Sequence, residues 1–155
     1  MSEDGMKLLG YCGLYCGACG IHQGRIKQAV ENLRKTIYAY GFNKIAPELV
    51  KYEPAFQHYE EFEKVLDGFE KTFGECPGCF AGGGDPSCII RLCCKQKGYA
   101  VCVECAEMGT CKKLLSQVGT LDNLKRIKAK GKANWVKEME KKVKLGYCQL
   151  DEITK

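Results

Sequence analysis

Twelve cysteines in 155 residues, set at short spacings, constrain this chain more than any other feature of it. Cys12, Cys16 and Cys19 share a loop with Gly10, Gly13, Gly17 and Gly20; eight more cysteines fall between Cys76 and Cys111, and Cys148 stands near the C-terminus. So many thiols in a small chain mean either a disulfide framework in an oxidising compartment or ligands in a reducing one. Residues 1–11 show no basic segment followed by an apolar run and a small-residue cleavage site, the marks of a secretory signal. No apolar stretch approaches the roughly 18 residues of a membrane span. A soluble, cytoplasmic protein is expected, with its thiols available to metal.

A structural zinc ion takes four soft ligands in a tetrahedron, and two cysteines separated by two residues wrap one edge of it. Three such pairs occur: Cys16 with Cys19, Cys76 with Cys79, and Cys102 with Cys105. Pro77 and Gly78 suit the tight turn that the second pair needs. The simplest arrangement joins Cys76 and Cys79 to Cys102 and Cys105, as in a zinc ribbon. Cys12, Cys16 and Cys19 then take a fourth ligand from Cys88, Cys93 or Cys111. Cys88 and Cys93, five residues apart, diverge by about 140° on a regular helix and share an ion only if Cys88 lies on a frayed first turn. The spacing leaves this connectivity open. His22, three residues after Cys19, has a chelating spacing but reads more simply as a polar residue near a helix start; His58, among acidic residues, is given no role. Cys94 follows Cys93 directly and Cys148 stands apart, so both read as thiols outside the metal set.

Around these loops the chain reads as helical. Ile26, Ala29, Val30, Leu33, Ile37 and Tyr40 recur at helical steps, with Gly41 as a stop. Phe56, Tyr59, Phe62, Val65, Leu66, Phe69 and Phe73 mark a second helix ending at Gly74, and this stripe reads as core packing rather than a stacking platform. Asp85 and Pro86 predict a helix start, with the end at Lys97 before Gly98. Leu121, Leu124 and Ile127, then Trp135, Met139 and Val143, mark two closing helices separated by Gly131 and ended by Gly146. The expected fold is a single mainly α-helical domain over 1–155 with irregular cysteine-rich, metal-bound loops and at most a small β-hairpin. Its parts are a first cysteine loop (1–24), a helical pair (25–74), a cysteine-rich metal-binding lobe (75–115) and C-terminal helices (120–146).

The formal charge of +5 counts every thiol as neutral. Eight thiolates holding two divalent ions would lower it to about +1. Residues 112–145 carry eleven Lys or Arg against Asp122, Glu138 and Glu140, whereas residues 48–75 carry eight acidic side chains against Lys51, Lys64 and Lys71. Two solvated helix faces of opposite sign account for this more simply than a nucleic-acid footprint through Lys125, Arg126, Lys128, Lys130 and Lys132.

Two catalytic readings fail on context. The spacing of Cys12, Cys16 and Cys19 matches the cluster loop of radical SAM enzymes, and Gly83-Gly84-Asp85 loosely matches their glycine motif. That chemistry needs a partial α/β barrel, and Ala18 stands where an aromatic residue is usual. A redox dithiol at Cys76-Pro77-Gly78-Cys79 needs a βαβ setting and a helix starting at its first cysteine, and a glycine loop follows instead. An iron–sulfur cluster without that chemistry stays open, since four thiolates suit iron as well as zinc.

The motifs Tyr11-Cys12-Gly13-Leu14-Tyr15-Cys16-Gly17-Ala18-Cys19, Cys76-Pro77-Gly78-Cys79, Cys88-Ile89-Ile90-Arg91-Leu92-Cys93, Lys97-Gly98, Cys102-Val103-Glu104-Cys105 and Cys111-Lys112-Lys113-Leu114 occur in that order. Together with Asn123–Lys128, Gly131 and Trp135, they make the chain resemble a prokaryotic cysteine-rich family, domain of unknown function 3795. Family members usually carry a small residue in the place of Cys94. The resemblance implies a zinc-binding role and no established activity. Ten cysteines are candidate ligands: Cys12, Cys16, Cys19, Cys76, Cys79, Cys88, Cys93, Cys102, Cys105 and Cys111. Two four-cysteine zinc sites would use eight of them. The expected function is a metal-stabilised binding or interaction module, leaning away from an enzyme, with an iron–sulfur protein and a nucleic-acid-binding zinc protein as the alternatives. Partner and oligomeric state are not readable from the residues.

Overall fold

The computed structural model describes residues 3–115 and 119–153. These fold into helices α1 (Glu3–Lys7), α2 (Arg25–Ala39), α3 (Phe42–Leu49), α4 (Tyr59–Phe73), α5 (Ile89–Lys97), α6 (Lys112–Leu115), α7 (Thr120–Lys130), α8 (Lys132–Lys144) and α9 (Leu150–Ile153). Among the described residues no strand forms, and the expected hairpin reduces to one antiparallel bridge, Leu9 with Tyr15. The architecture is mainly helical, as the sequence predicts. No helix among the described residues is long and apolar enough to cross a membrane.

Chain contacts divide the molecule into two compact units: Met1–His22 with Cys76–Lys155, and Gln23–Glu75. The helical stretch expected over 25–74 is thus a unit of its own, and all twelve cysteines lie in the other.

The cysteine-bearing unit is built on α7 and α8. Leu124 and Ile127 from α7, and Trp135, Val136 and Met139 from α8, are buried together, with Leu121 and Val143 packed at the margin. Both helices end where the glycines predict: Gly131 accepts the break at φ +80° and Gly146 follows α8 at φ +91°. Leu9, Tyr11, Tyr15 and Ala18 of the N-terminal loop close over this pair, joined by Ile90 and Cys94 of α5, Val101, Cys102, Met108 and Leu114. Gly13 is required in that loop. Its φ is +82°, and a Cβ there would stand 2.9 Å from the Leu124 side chain.

Helix α5 starts later than the Asp85-Pro86 signal predicts. The Asp85 carboxylate accepts from Ser87 N–H (2.8 Å) and Ser87 Oγ–H (2.6 Å), so residues 85–88 form a side-chain-closed turn instead of a first helical turn. Cys88 takes the N-cap position. The C-terminus is as expected: Gly98 is left-handed (φ +72°), and Tyr99 N–H donates back to Cys94 O at 2.9 Å.

In the second unit, α2 and α4 pack against each other and α3, which the sequence does not announce, follows Gly41 (φ +70°). Arg34 on α2 pairs with Glu63, Asp67 and Glu70, which share one face of α4. Helix α4 begins at Tyr59, because residues Pro54–His58 form a tighter 3-10 turn capped by the Glu53 side chain on Ala55 N–H. The aromatic stripe expected as core is only partly so. Leu66 is buried, whereas Phe56, Val65, Phe69 and Phe73 are exposed, as are Leu33 of α2 and Tyr40 at its C-cap. Three short helices have too little surface to cover two full apolar stripes.

Candidate functional site

Six thiols collect around the N-terminal loop. Gly10 N–H donates to Leu14 O (2.8 Å) and Cys16 N–H to Leu8 O (2.7 Å), which fixes the 10–16 loop and the direction in which Cys12 and Cys16 leave it. Cys16–Ala18 is one 3-10 turn, and Cys19 N–H closes on Cys16 O at 2.9 Å. From the other side comes the turn at Pro77-Gly78. Gly78 at φ +94° lets Cys79 N–H point at Cys16 Sγ, 3.4 Å away. Backbone N–H donors directed at sulfur favour a thiolate. Gly83 folds back so tightly that a Cβ would lie 2.6 Å from Cys76 Sγ and 3.0 Å from Gly78 N.

The charges these thiols would carry are felt mutually. Burial pushes the Cys12 thiol up to about 11, against a hydrogen bond at Leu14 that lowers it, and neighbouring Cys79, Cys88 and Cys16 raise it further. Burial also raises Cys16, with Cys79, Cys19 and Cys76 adding to the effect. These mutual effects join Cys12, Cys16, Cys19, Cys76, Cys79 and Cys88, and Cys12 also raises Cys102 across α5.

A second group lies beyond α5. Cys93, Cys94, Cys102, Cys105 and Cys111 all line a cavity of about 220 Å³. Cys102–Glu104 repeats the 3-10 turn of the first group, with Cys105 N–H on Cys102 O at 3.0 Å. Cys102 N–H donates to Tyr11 O (2.8 Å), and Cys94 Sγ sits 3.3 Å from Cys102 Sγ. Burial raises both of these thiols; Cys94 and Cys102 are 2% and 9% exposed. Lys97, Lys112 and Lys113 stand at the same cavity, where Lys97 pairs with Glu107 at 3.2 Å.

The fold thus gathers the pairs differently from the ribbon arrangement. Cys76 and Cys79 go with Cys16, and Cys102 and Cys105 go with Cys93, Cys94 and Cys111. The late start of α5 explains why Cys88 and Cys93 part company: Cys88 precedes the helix, and Cys93 sits inside it. Cys94, left out by the sequence reading, lies in the second group. Its signal was the i, i+4 step from Ile90 to Cys94, both buried on one face of α5. Cys148 is fully buried and packs as a small apolar residue.

Two further side chains hold the loops. Arg91, 5% exposed, donates to Cys79 O (3.4 Å), Gly83 O (2.7 Å) and Asp85 O, so one guanidinium fixes the turn between Cys79 and Cys88. Its only sequence signal was a charge set between Ile90 and the buried positions of α5. His22 Nδ1 lies 2.6 Å from Cys76 O; the carbonyl can only accept, so Nδ1 carries the proton. The ring anchors the backbone of Cys76.

These are donors of one kind, sulfur, drawn from separated segments, a set that suits a borderline-soft ion. They are gathered but not closed: among the described residues, no three His, Cys, Asp or Glu side chains are arranged to hold a metal ion.

Residues 8–116 match the family model described as Protein of unknown function (DUF3795). The matched span takes in both thiol groups and stops before α7 and α8, so the likeness read in the C-terminal tail lies outside it. No curated protein and no solved structure matches the chain. With well over half of its length covered by that model, the chain belongs to the DUF3795 family.

Proposed function

We propose that this protein is a zinc-stabilised interaction module, with one ion held by four thiolates in each of its two cysteine groups. The observation that carries the reading is the gathering itself: eleven cysteines from five separated segments meet in two groups inside one unit. Thiols so gathered, most of them half-buried, would repel one another as thiolates unless an ion compensated them. Rotation of Cys76, Cys79, Cys16 and a fourth thiol of the first group, and of four around the second cavity, would complete two tetrahedra. Zinc would add cross-links between the segments that the backbone bonds and core packing already bring together. The residues themselves exclude solvent, aim backbone N–H groups at sulfur and fix loop direction through Arg91 and His22.

A nucleic-acid role gains nothing from the basic stripe on α7 and α8. Lys130 pairs with Glu138 (2.7 Å), Lys132 with Glu104 and Lys125 with Asp122 (3.8 Å), so three of its five cations already face carboxylates.

Metal analysis of anaerobically purified full-length protein tests the proposal. About two zinc ions per chain and a colourless solution are expected. A folded, metal-free protein overturns it, as do thiols found joined in disulfides. So does a brown protein containing iron and sulfide and absorbing near about 400 nm.

A further inference from the structure

The cysteine-free unit leaves one edge of its helix pair bare. Arg34 on α2 binds Glu63, Asp67 and Glu70 along one edge of the pair. With about 100° between successive residues of a helix, Leu33 on α2 and Val65 and Phe69 on α4 turn to the opposite edge. All three are exposed, as are Tyr40 and Phe73 at the ends of the same edge. The small, uncharged Ala29, Thr36, Gly68 and Thr72 are exposed between them. The five large residues leave roughly 500 Å² in water. A homodimer interface of standard size takes about 800 Å² from each partner, about two-thirds of it apolar. This edge therefore carries the apolar share of one such interface. The α4 carboxylates that would repel a second copy, Glu63, Asp67 and Glu70, face away and are held by Arg34.

Gly68 is an independent sign. It stands inside α4, where glycine weakens a helix relative to any ordinary residue. Its own chain does not require it. A Cβ there would meet no heavy atom within 4 Å among the described residues, and its φ is not positive. A glycine so placed, between Val65 and Thr72 on an exposed apolar edge, suits a helix that another backbone approaches closely.

We propose that the protein dimerises through this edge, the α2–α4 pairs of two copies forming a four-helix bundle about a two-fold axis beside Gly68. The two α4 helices run antiparallel. Val65 of each copy then packs on Thr72 of the other, and Phe69 enters the space above Gly68. Large side chains meet small ones on both sides of the axis, so the edge is complementary to itself, as a two-fold contact requires. The contact uses no cysteine and stands apart from the zinc reading.

Sedimentation equilibrium of the full-length protein tests this. Twice the chain mass of 17.3 kDa is expected at tens of micromolar protein, unchanged in molar salt. The double variant Val65→Lys, Phe69→Lys is expected to be a monomer whose far-ultraviolet circular dichroism keeps the full helix content, since both side chains are exposed in the single chain. Gly68→Leu is expected to weaken the dimer about tenfold by filling the space that Phe69 of the other copy needs. It should keep or raise the helix content of the monomer. An exposed glycine without a partner would show the second effect and not the first. A monomer at every concentration up to the millimolar range overturns the proposal. So does a dimer that survives the double lysine variant or is indifferent to Gly68→Leu, either of which places the contact elsewhere. Dissociation by salt overturns it too, in favour of charge pairing between the acidic stretch 48–75 and the basic stretch 112–145.

Discussion

Arg91 is the residue on which the first cysteine group depends without contributing a sulfur. It lies inside the core, yet its guanidinium reaches three carbonyls of the 79–85 loop. Arg91→Met keeps the bulk and removes every donor, taking this partner from the half-buried Cys79 and Gly83 carbonyls while Asp85 O keeps the Cys88 N–H at 3.2 Å. We expect a loss of roughly 2–3 kcal/mol in denaturant unfolding. Gly83→Ala tests the same loop from the other end. Its methyl would meet Cys76 Sγ at 2.6 Å and the Gly78 backbone at 3.0 Å, and the backbone cannot give way as a flexible side chain would. Destabilisation of about 1–3 kcal/mol is expected, with weakened metal retention in the first group measured by competition with a chromophoric chelator. Neither residue was legible as important in the sequence. An arginine between apolar residues and one glycine in a run of three have no local mark, because their partners lie in backbone that only the folded loop brings near.

At the scale of elements, α5 is what separates the two thiol groups. Its first residue is Ile89, so Cys88 leaves in the direction of Cys12 while Cys93, four residues into the helix, faces the second cavity. If the zinc reading holds, Cys88→Ser and Cys93→Ser should lower metal content or affinity in different groups. Cobalt substitution checks this, with the two variants perturbing separate thiolate-to-cobalt bands and the double variant showing their sum. A change in the same band from both would sink the division. The helix's end was readable from Gly98 and its beginning was not, because an aspartate before a proline signals a cap equally well whether its side chain binds N–H groups of a helix or of an isolated turn. The α2–α4 pairing was likewise hidden. Periodicity predicted both apolar stripes, but not that Arg34 would spend its guanidinium on Glu63, Asp67 and Glu70. Arg34→Leu is expected to lower the melting temperature and to raise hydrogen exchange in α2 and α4 selectively. Exchange unchanged in these helices would show the network to be idle.

Across the whole molecule, chemistry and helical bulk are segregated by sequence position. Residues 23–75 interrupt the cysteine-bearing unit without lending it a sulfur. The grouping of the thiols could not be read from spacing, since it depends on where this insertion leaves and rejoins the chain. The rejoining is close: His22 Nδ1 and Cys76 O are 2.6 Å apart, within the same unit. A gap so short can be spanned by a few flexible residues at small entropic cost, because loop-closure entropy grows only logarithmically with length. Replacing residues 23–75 with a short Gly-Ser linker should therefore leave the cysteine-bearing unit folded. Its α7–α8 core is expected to show Trp135 fluorescence as blue-shifted as in the full chain, since that indole is 1% exposed. Zinc content, on the proposed function, should persist at the full-length value; loss of zinc along with the insertion would mean that the thiol groups are not self-sufficient.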